Sequence, residues 1–201
     1  MALLSGALLA SLMLAGCSSS SSSSSPSSSS APTGDVPSGE MSSDATVAPF
    51  NDADVEFAMN MVIHHTQAIE MADVLLGKDG VDAKVMELAQ NIKAAQGPEI
   101  DTMNSWLVGW GADGMDGMVG MDHGMGETMS QEDMASLEAA GGTEASRLFL
   151  EQMTVHHQGA IEMAQVEIQD GKNADAMALA EKVVSDQTAE IALMGELLAN
   201  L

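Results

Sequence analysis

From Phe50 onward the apolar residues recur in steps of three and four. Ala58, Met61, Val62, Ala68, Met71, Ala72 and Leu75 form one such stripe; Val85, Leu88, Ala89 and Ile92 form a second. Ala176, Leu179, Ala180 and Val183 repeat the second one. This spacing places side chains on one face of a helix, and the period-two alternation of a half-buried strand is absent over any useful length. Gly77-Lys78-Asp79-Gly80 and Asp170-Gly171-Lys172-Asn173 interrupt the stripes with residues that stop helices. The pattern predicts two helical hairpins, hence four amphipathic helices. An antiparallel four-helix bundle buries four apolar stripes economically, so the expected fold class is all-α. Residues 50–201, about 150 in number, suffice for one core of this kind.

The two hairpins are copies of one another. Residues 61–72 read MVIHHTQAIEMA and residues 153–164 read MTVHHQGAIEMA, identical at eight of twelve positions. Phe57 matches Phe149 ahead of this motif. With one residue dropped from the second copy, Met86 matches Met177, Leu88 Leu179, Gln96 Gln187, Glu99 Glu190, Ile100 Ile191, Met103 Met194 and Leu107 Leu198. The repeat unit is about fifty residues, the size of a duplicated supersecondary unit.

Four of the five histidines lie in the two motifs. Residues three and four apart share a helix face, so Met61, His64, Ala68 and Met71 line one stripe, with His65 about 100° around from His64. Met153, His156, Ala160 and Met163 do the same, with His157 as the neighbour. Met103 and Met194 lie on the second helices, where Glu99 and Glu190 are placed to orient an imidazole by accepting its other N–H. Thioether and imidazole suit Cu(I), and by softness Ag(I), better than iron or calcium. A di-iron bundle needs Glu-x-x-His, which occurs nowhere in the chain. The competing reading is packing: methionine is a common core filler, and Met59, Met86 and Met177 are read that way.

Gly111 to Met129 reads GADGMDGMVGMDHGMGETM. Met115, Met118, Met121 and Met125, with His123 among them, stand in a Gly/Asp-rich stretch with almost no other apolar residue. Core filling does not account for them; a chain that wraps a soft ion does, and the competing reading is a disordered linker whose methionines are neutral drift. Trp106 and Trp110 end the second helix and are expected to pack at the end of the bundle.

Composition narrows the setting. The formal charge is −24 with six Lys and Arg, which excludes nucleic acid as a partner because a phosphate backbone needs basic residues. Cys17 is the only cysteine, so disulfides and thiolate metal sites are excluded from the mature domain. Residues 1–17 end an apolar run with Leu14-Ala15-Gly16-Cys17, which resembles a bacterial lipobox with Cys17 as the lipidated residue. No Lys or Arg precedes Lys78, so a positive n-region is missing; a start codon assigned too late would account for that. Residues 18–49, with twelve serines around Pro26, read as a flexible tether. The expectation is an exported, extracytoplasmic chain, lipid-anchored to the cell membrane.

On the motifs just described, residues 51–201 resemble the bacterial family called domain of unknown function 305. The resemblance rests on Met61-x-x-His64-His65, Ala68-Ile69-Glu70-Met71-Ala72, Gln96-x-x-Glu99-Ile100-x-x-Met103 and Trp106-x-x-x-Trp110-Gly111, with Met153-x-x-His156-His157 and Ala160-Ile161-Glu162-Met163-Ala164 in the second half. The second half lacks the tryptophan pair. The resemblance implies a ferritin-like four-helix fold and, from some members, copper binding outside the cytoplasm. The expected function is a copper-binding lipoprotein, for Cu(I) first and Ag(I) as an alternate, that buffers or delivers the ion without turnover and without an organic cofactor. A homodimer and a copper-handling protein partner stay open. The alternatives are a ferritin-like metal oxidase and a metal-free envelope interaction module.

Overall fold

The computed structural model describes residues 48–112 and 128–201. The lipobox Cys17, the tether, and Met115, Met118, Met121, His123 and Met125 fall outside the described residues. The described part is all-helical: α1 (Asp52–Leu76), α2 (Ala83–Trp110), α3 (Gln131–Ala139), α4 (Gly142–Asp170) and α5 (Ala174–Leu198). None of these helices is long and apolar enough to cross a membrane.

Local chemistry sets the boundaries. Asn51 opens α1 in a capping box: its side chain accepts from Asp54 N at 3.1 Å, and Asp54 Oδ2 accepts from Asn51 N at 2.6 Å. This satisfies two of the amides that a helix N-terminus leaves unpaired. Asp82 caps α2 and Asn173 caps α5 at repeat-equivalent positions, each side chain accepting from two amides of the first turn. α2 stops at Gly111, whose φ of 71° lies in the left-handed region that glycine tolerates. Both interrupted segments of the sequence are the observed turns. The short α3 is a fifth helix beyond the four expected; Ser130 and Asp133 form its capping box.

α1 and α2 form one hairpin and α4 and α5 the other, and the hairpins join mainly through α1 against α4. The core divides into two clusters. One holds Met71, Leu75, Phe149, Leu150, Met153 and Met194, and Leu137 of α3 is buried in it. The other holds Phe57, Ala58, Met61, Met103, Ala160 and Met163. The clusters are repeat images of each other: Met61, Met103 and Met163 at one end correspond to Met153, Met194 and Met71 at the other. Each end therefore draws on both repeats, as antiparallel packing of α1 on α4 requires.

Candidate metal centre

The four repeated histidines occupy the middle of α1 and α4, and all four are buried. His64 and His156 meet across the hairpin interface, ring centroids 3.6 Å apart and planes at 38°. His65 and His157, one position on, are turned about 100° toward their own hairpin partners. His65 Nε2 lies 2.9 Å from Glu99 Oε2 on α2, and His157 Nε2 lies 2.6 Å from Glu190 Oε2 on α5. Both members of each pair thus face inward, in two different directions.

Burial pushes His64 down to about 3, and the neighbouring His65 and His157 push the same way. His156 is lowered well below its ordinary value, by burial first and then by the other three histidines. Both rings are neutral at physiological pH, which is the form that binds metals. Burial also acts on Glu99, upward, but the bonds from His65 and Lys182 outweigh it and hold that carboxylate below its usual range. In the tautomer that donates Nε2–H to Glu99 or Glu190, Nδ1 of each ring carries a lone pair. Those two Nδ1 atoms, and both ring nitrogens of His64 and of His156, have no hydrogen-bond partner: six buried nitrogens. An orphaned buried polar group costs about 1–3 kcal/mol, so six together are not a packing solution a fold reaches for stability alone.

Met61, Met71, Met103, Met153 and Met194 are fully buried and Met163 nearly so. Met61 and Met71 are ten residues apart, about 15 Å along a helix, so the two cannot hold one ion with the histidines between them. The shared stripe of each first helix therefore divides between the two ends of the structure. A central histidine layer is flanked by a methionine trio at each end of the bundle, each trio drawn from both repeats. The last methionine of the Met-rich segment, Met129, joins the first cluster described: it packs there, partly buried, and Gln67 exchanges two hydrogen bonds with its backbone at 2.7 and 2.9 Å. No three His, Cys, Asp or Glu groups among the described residues are grouped to hold a metal ion by themselves. The side chains gathered in this part of the structure are imidazoles and thioethers, types that suit soft monovalent ions better than calcium or magnesium.

Trp106 and Trp110 stack on each other, with centroids 5.8 Å apart, and Phe50 stacks on Trp110 at 5.1 Å, closing the Met61 end. Sequence reasoning missed a second buried polar group at that end. Asp54 Oδ1 accepts from Asn173 N at 2.7 Å and from Lys172 N at 3.0 Å, tying the start of α1 to the α4–α5 turn. Burial raises Asp54, but these backbone bonds, the one from Asn51 and a bond from Glu167 hold it below its ordinary value. Glu167 is buried and pushed up to about 8, by burial first and then by bonding to Asp54 and by its charge. Burial and the neighbouring Asp54 charge both favour the neutral form of Glu167. The available signal was a glutamate four residues beyond Met163, on the core-facing stripe of α4. Lys182, which bonds Glu99 from the opposite hairpin, carried no sequence signal.

The match of residues 54–198 to the domain of unknown function DUF305 identifies the class: the chain belongs to that family. No curated protein sequence is similar enough to match it. Among solved structures, the chain is similar to a DUF305 protein of Streptomyces coelicolor assigned as secreted, at 32% identity and a TM-score of 0.68, covering 74% of this chain and 91% of that one. It is also similar to CopM in a Cu(II)-bound form, at 30% identity and a TM-score of 0.62, covering 73% of this chain and 96% of that one. CopM is known in Cu(I)-bound and Ag-bound forms as well, the former 27% identical with a TM-score of 0.59 over 73% of this chain and 96% of that one.

Proposed function

We propose that this protein binds copper, as Cu(I) first and Ag(I) or Cu(II) as alternates, and holds it for buffering or delivery. The observation that carries the reading is the set of six partnerless buried imidazole nitrogens between two methionine trios. His64, His65, His156 and His157 supply neutral nitrogen, with Glu99 and Glu190 orienting two of the rings. Met61, Met103 and Met163 supply sulfur on one side; Met71, Met153 and Met194 supply it on the other. Met115, Met118, Met121, His123 and Met125 serve as a capture segment, whose far end reaches the bundle at Met129. The metal-bound forms of CopM support the choice of ion. Lipidation at Cys17 would keep the domain outside the cytoplasm and close to the membrane.

The test is an anaerobic Cu(I) titration of the full chain against a chromophoric chelator, beside a variant with Ala at all five histidines. Tight binding lost in the variant supports the helical site. Tight binding kept moves the chemistry to the methionine segment. No competition by either defeats the copper reading and leaves the histidines as packing groups of an envelope interaction module. Oxygen uptake on adding Cu(I) or Fe(II) tests the oxidase alternative.

A further inference from the structure

The two His–Glu pairs match in chemistry and differ in surroundings. Glu99 contacts His65 through Oε2 and accepts from Lys182 through Oε1, at 2.9 Å in each case. Lys182 comes from α5 of the other hairpin and also donates to Asp186 at 2.7 Å. Both oxygens of Glu99 are engaged, and its side chain is 12% exposed. Glu190 contacts His157 through Oε2, its side chain is 22% exposed, and no lysine or arginine among the described residues reaches it. The repeat explains the difference. The position equivalent to Lys182 in the first copy is Asn91, an exposed residue of α2, so the cation exists on one side of the molecule only.

We propose that the Glu190 side is the port by which a soft cation reaches the histidine layer, and that Lys182 keeps the Glu99 side shut. This rests on the metal-binding reading above. A cation nearing Glu99 meets an ammonium group and a carboxylate already neutralised by it. Opening that side means parting His65 from Glu99, Glu99 from Lys182 and Lys182 from Asp186. A cation nearing Glu190 meets an uncompensated carboxylate on a chain of formal charge −24, with only the His157 contact to disturb. Such fields act on the rate of capture, and the effect weakens with salt. Beyond Glu190 lies His157, whose buried Nδ1 is one of the partnerless nitrogens.

The repeat itself supplies the test. Asn91→Lys installs the missing lysine beside Glu190, and Lys182→Asn removes the existing one beside Glu99. Stopped-flow transfer of Cu(I) from a chromophoric chelator to the full chain, at low salt and without oxygen, gives the rate; equilibrium titration gives the stoichiometry. Asn91→Lys is expected to slow transfer about tenfold and Lys182→Asn to speed it severalfold, both with unchanged stoichiometry and with the differences shrinking at high salt. Gln169→Lys, the same charge change at the far end of α4, controls for net charge. Glu190→Gln, which keeps the shape and removes the charge, should slow transfer as Asn91→Lys does. If Asn91→Lys and Glu190→Gln transfer copper no more slowly than Gln169→Lys while all of them bind it, the port is elsewhere and the metal reading survives. If the unaltered chain takes no copper, both fall together.

Discussion

The two ends of the bundle are built from the same repeat and closed in different ways. At the Met71 end, Leu137 of α3 covers the core, Leu75 is buried, and Ser146 Oγ accepts from Asp82 N at 3.0 Å. At the Met61 end, the equivalent positions hold Glu167, Asp54 and Asn173. Two buried carboxyl groups there replace leucine and serine, and the stack of Phe50, Trp110 and Trp106 replaces α3 as the cover. A shallow groove of about 140 Å³ beside Phe57, Asn60, Met163 and Glu167 opens at this end. The middle of the molecule is the part the two copies share. Histidine, methionine and glutamate recur there because each half supplies half of one layer, whereas each end has only itself to close.

The largest expected effect removes what the ends share. His64→Ala with His156→Ala should weaken Cu(I) binding by more than about a hundredfold, beyond the ten- to hundredfold loss typical of an orienting partner. Chelator competition measures it; an unchanged affinity would mean the histidine layer is not where the ion sits. Next in size is a substitution that separates the ends. A Cβ on Gly171 would lie 2.4 Å from Glu167 Oε1 and 2.5 Å from the Glu167 carbonyl oxygen. Gly171→Ala should cost about 2 kcal/mol in urea unfolding, because the near atoms include backbone. Its repeat partner Gly80 meets nothing closer than 3.5 Å but has a φ of 73°, so Gly80→Ala should cost about 1 kcal/mol through strain instead.

A smaller effect tests whether the ends are equal as sulfur donors. Met61→Leu with Met163→Leu, and Met71→Leu with Met153→Leu, each conserve volume and should cost less than about 1.5 kcal/mol per site in stability. Each pair should lower Cu(I) affinity by about tenfold. A loss confined to one pair would assign the ion to that end and break the symmetry.

The smallest expected effect is on pH dependence above neutrality, where the Met61 end is the part that responds. The folded pKa of Glu167, about 8, stands above its ordinary 4.5. Its contribution to stability is therefore complete below the unfolded value and is lost as pH rises from there through about 8. Asp54 is held low and works in the opposite sense: its contribution is present above its ordinary 3.8 and is lost on acidification below it. The melting temperature should fall by a few degrees between about pH 6.5 and pH 9, and fall again below about pH 6.5 as the lowered His64 and His156 resist protonation in the fold. Glu167→Gln should flatten the alkaline fall; a slope unchanged by the substitution would mean Glu167 does not govern it.

Much of this was readable along the chain. The three- and four-residue steps, the helix-stopping turns and the duplicated Met-x-x-His-His each concern neighbours within a few turns of helix, where sequence spacing is spatial spacing. Glu99 and Glu190 were identified as orienting partners because they sit on the matching stripe of the second helix of each hairpin. α3 was not foreseen: its nine residues are too few to establish a period, although Ser130-x-x-Asp133 is a capping signal.

What the sequence determined by itself is the material: four amphipathic helices in two equal halves, no thiol in the domain, and imidazole and thioether side chains repeated at helical spacing. What only the tertiary structure decided is which halves of which helices share an end. Antiparallel packing of α1 on α4 brings His64 against His156 and divides Met61 from Met71. It also ties Asp54 to the amides of Lys172 and Asn173 and lets Lys182 cross from one hairpin to the carboxylate of the other. Those partners stand 83 or more residues apart in the chain, and their meeting depends on how two apolar faces pack. Local spacing holds no record of that choice.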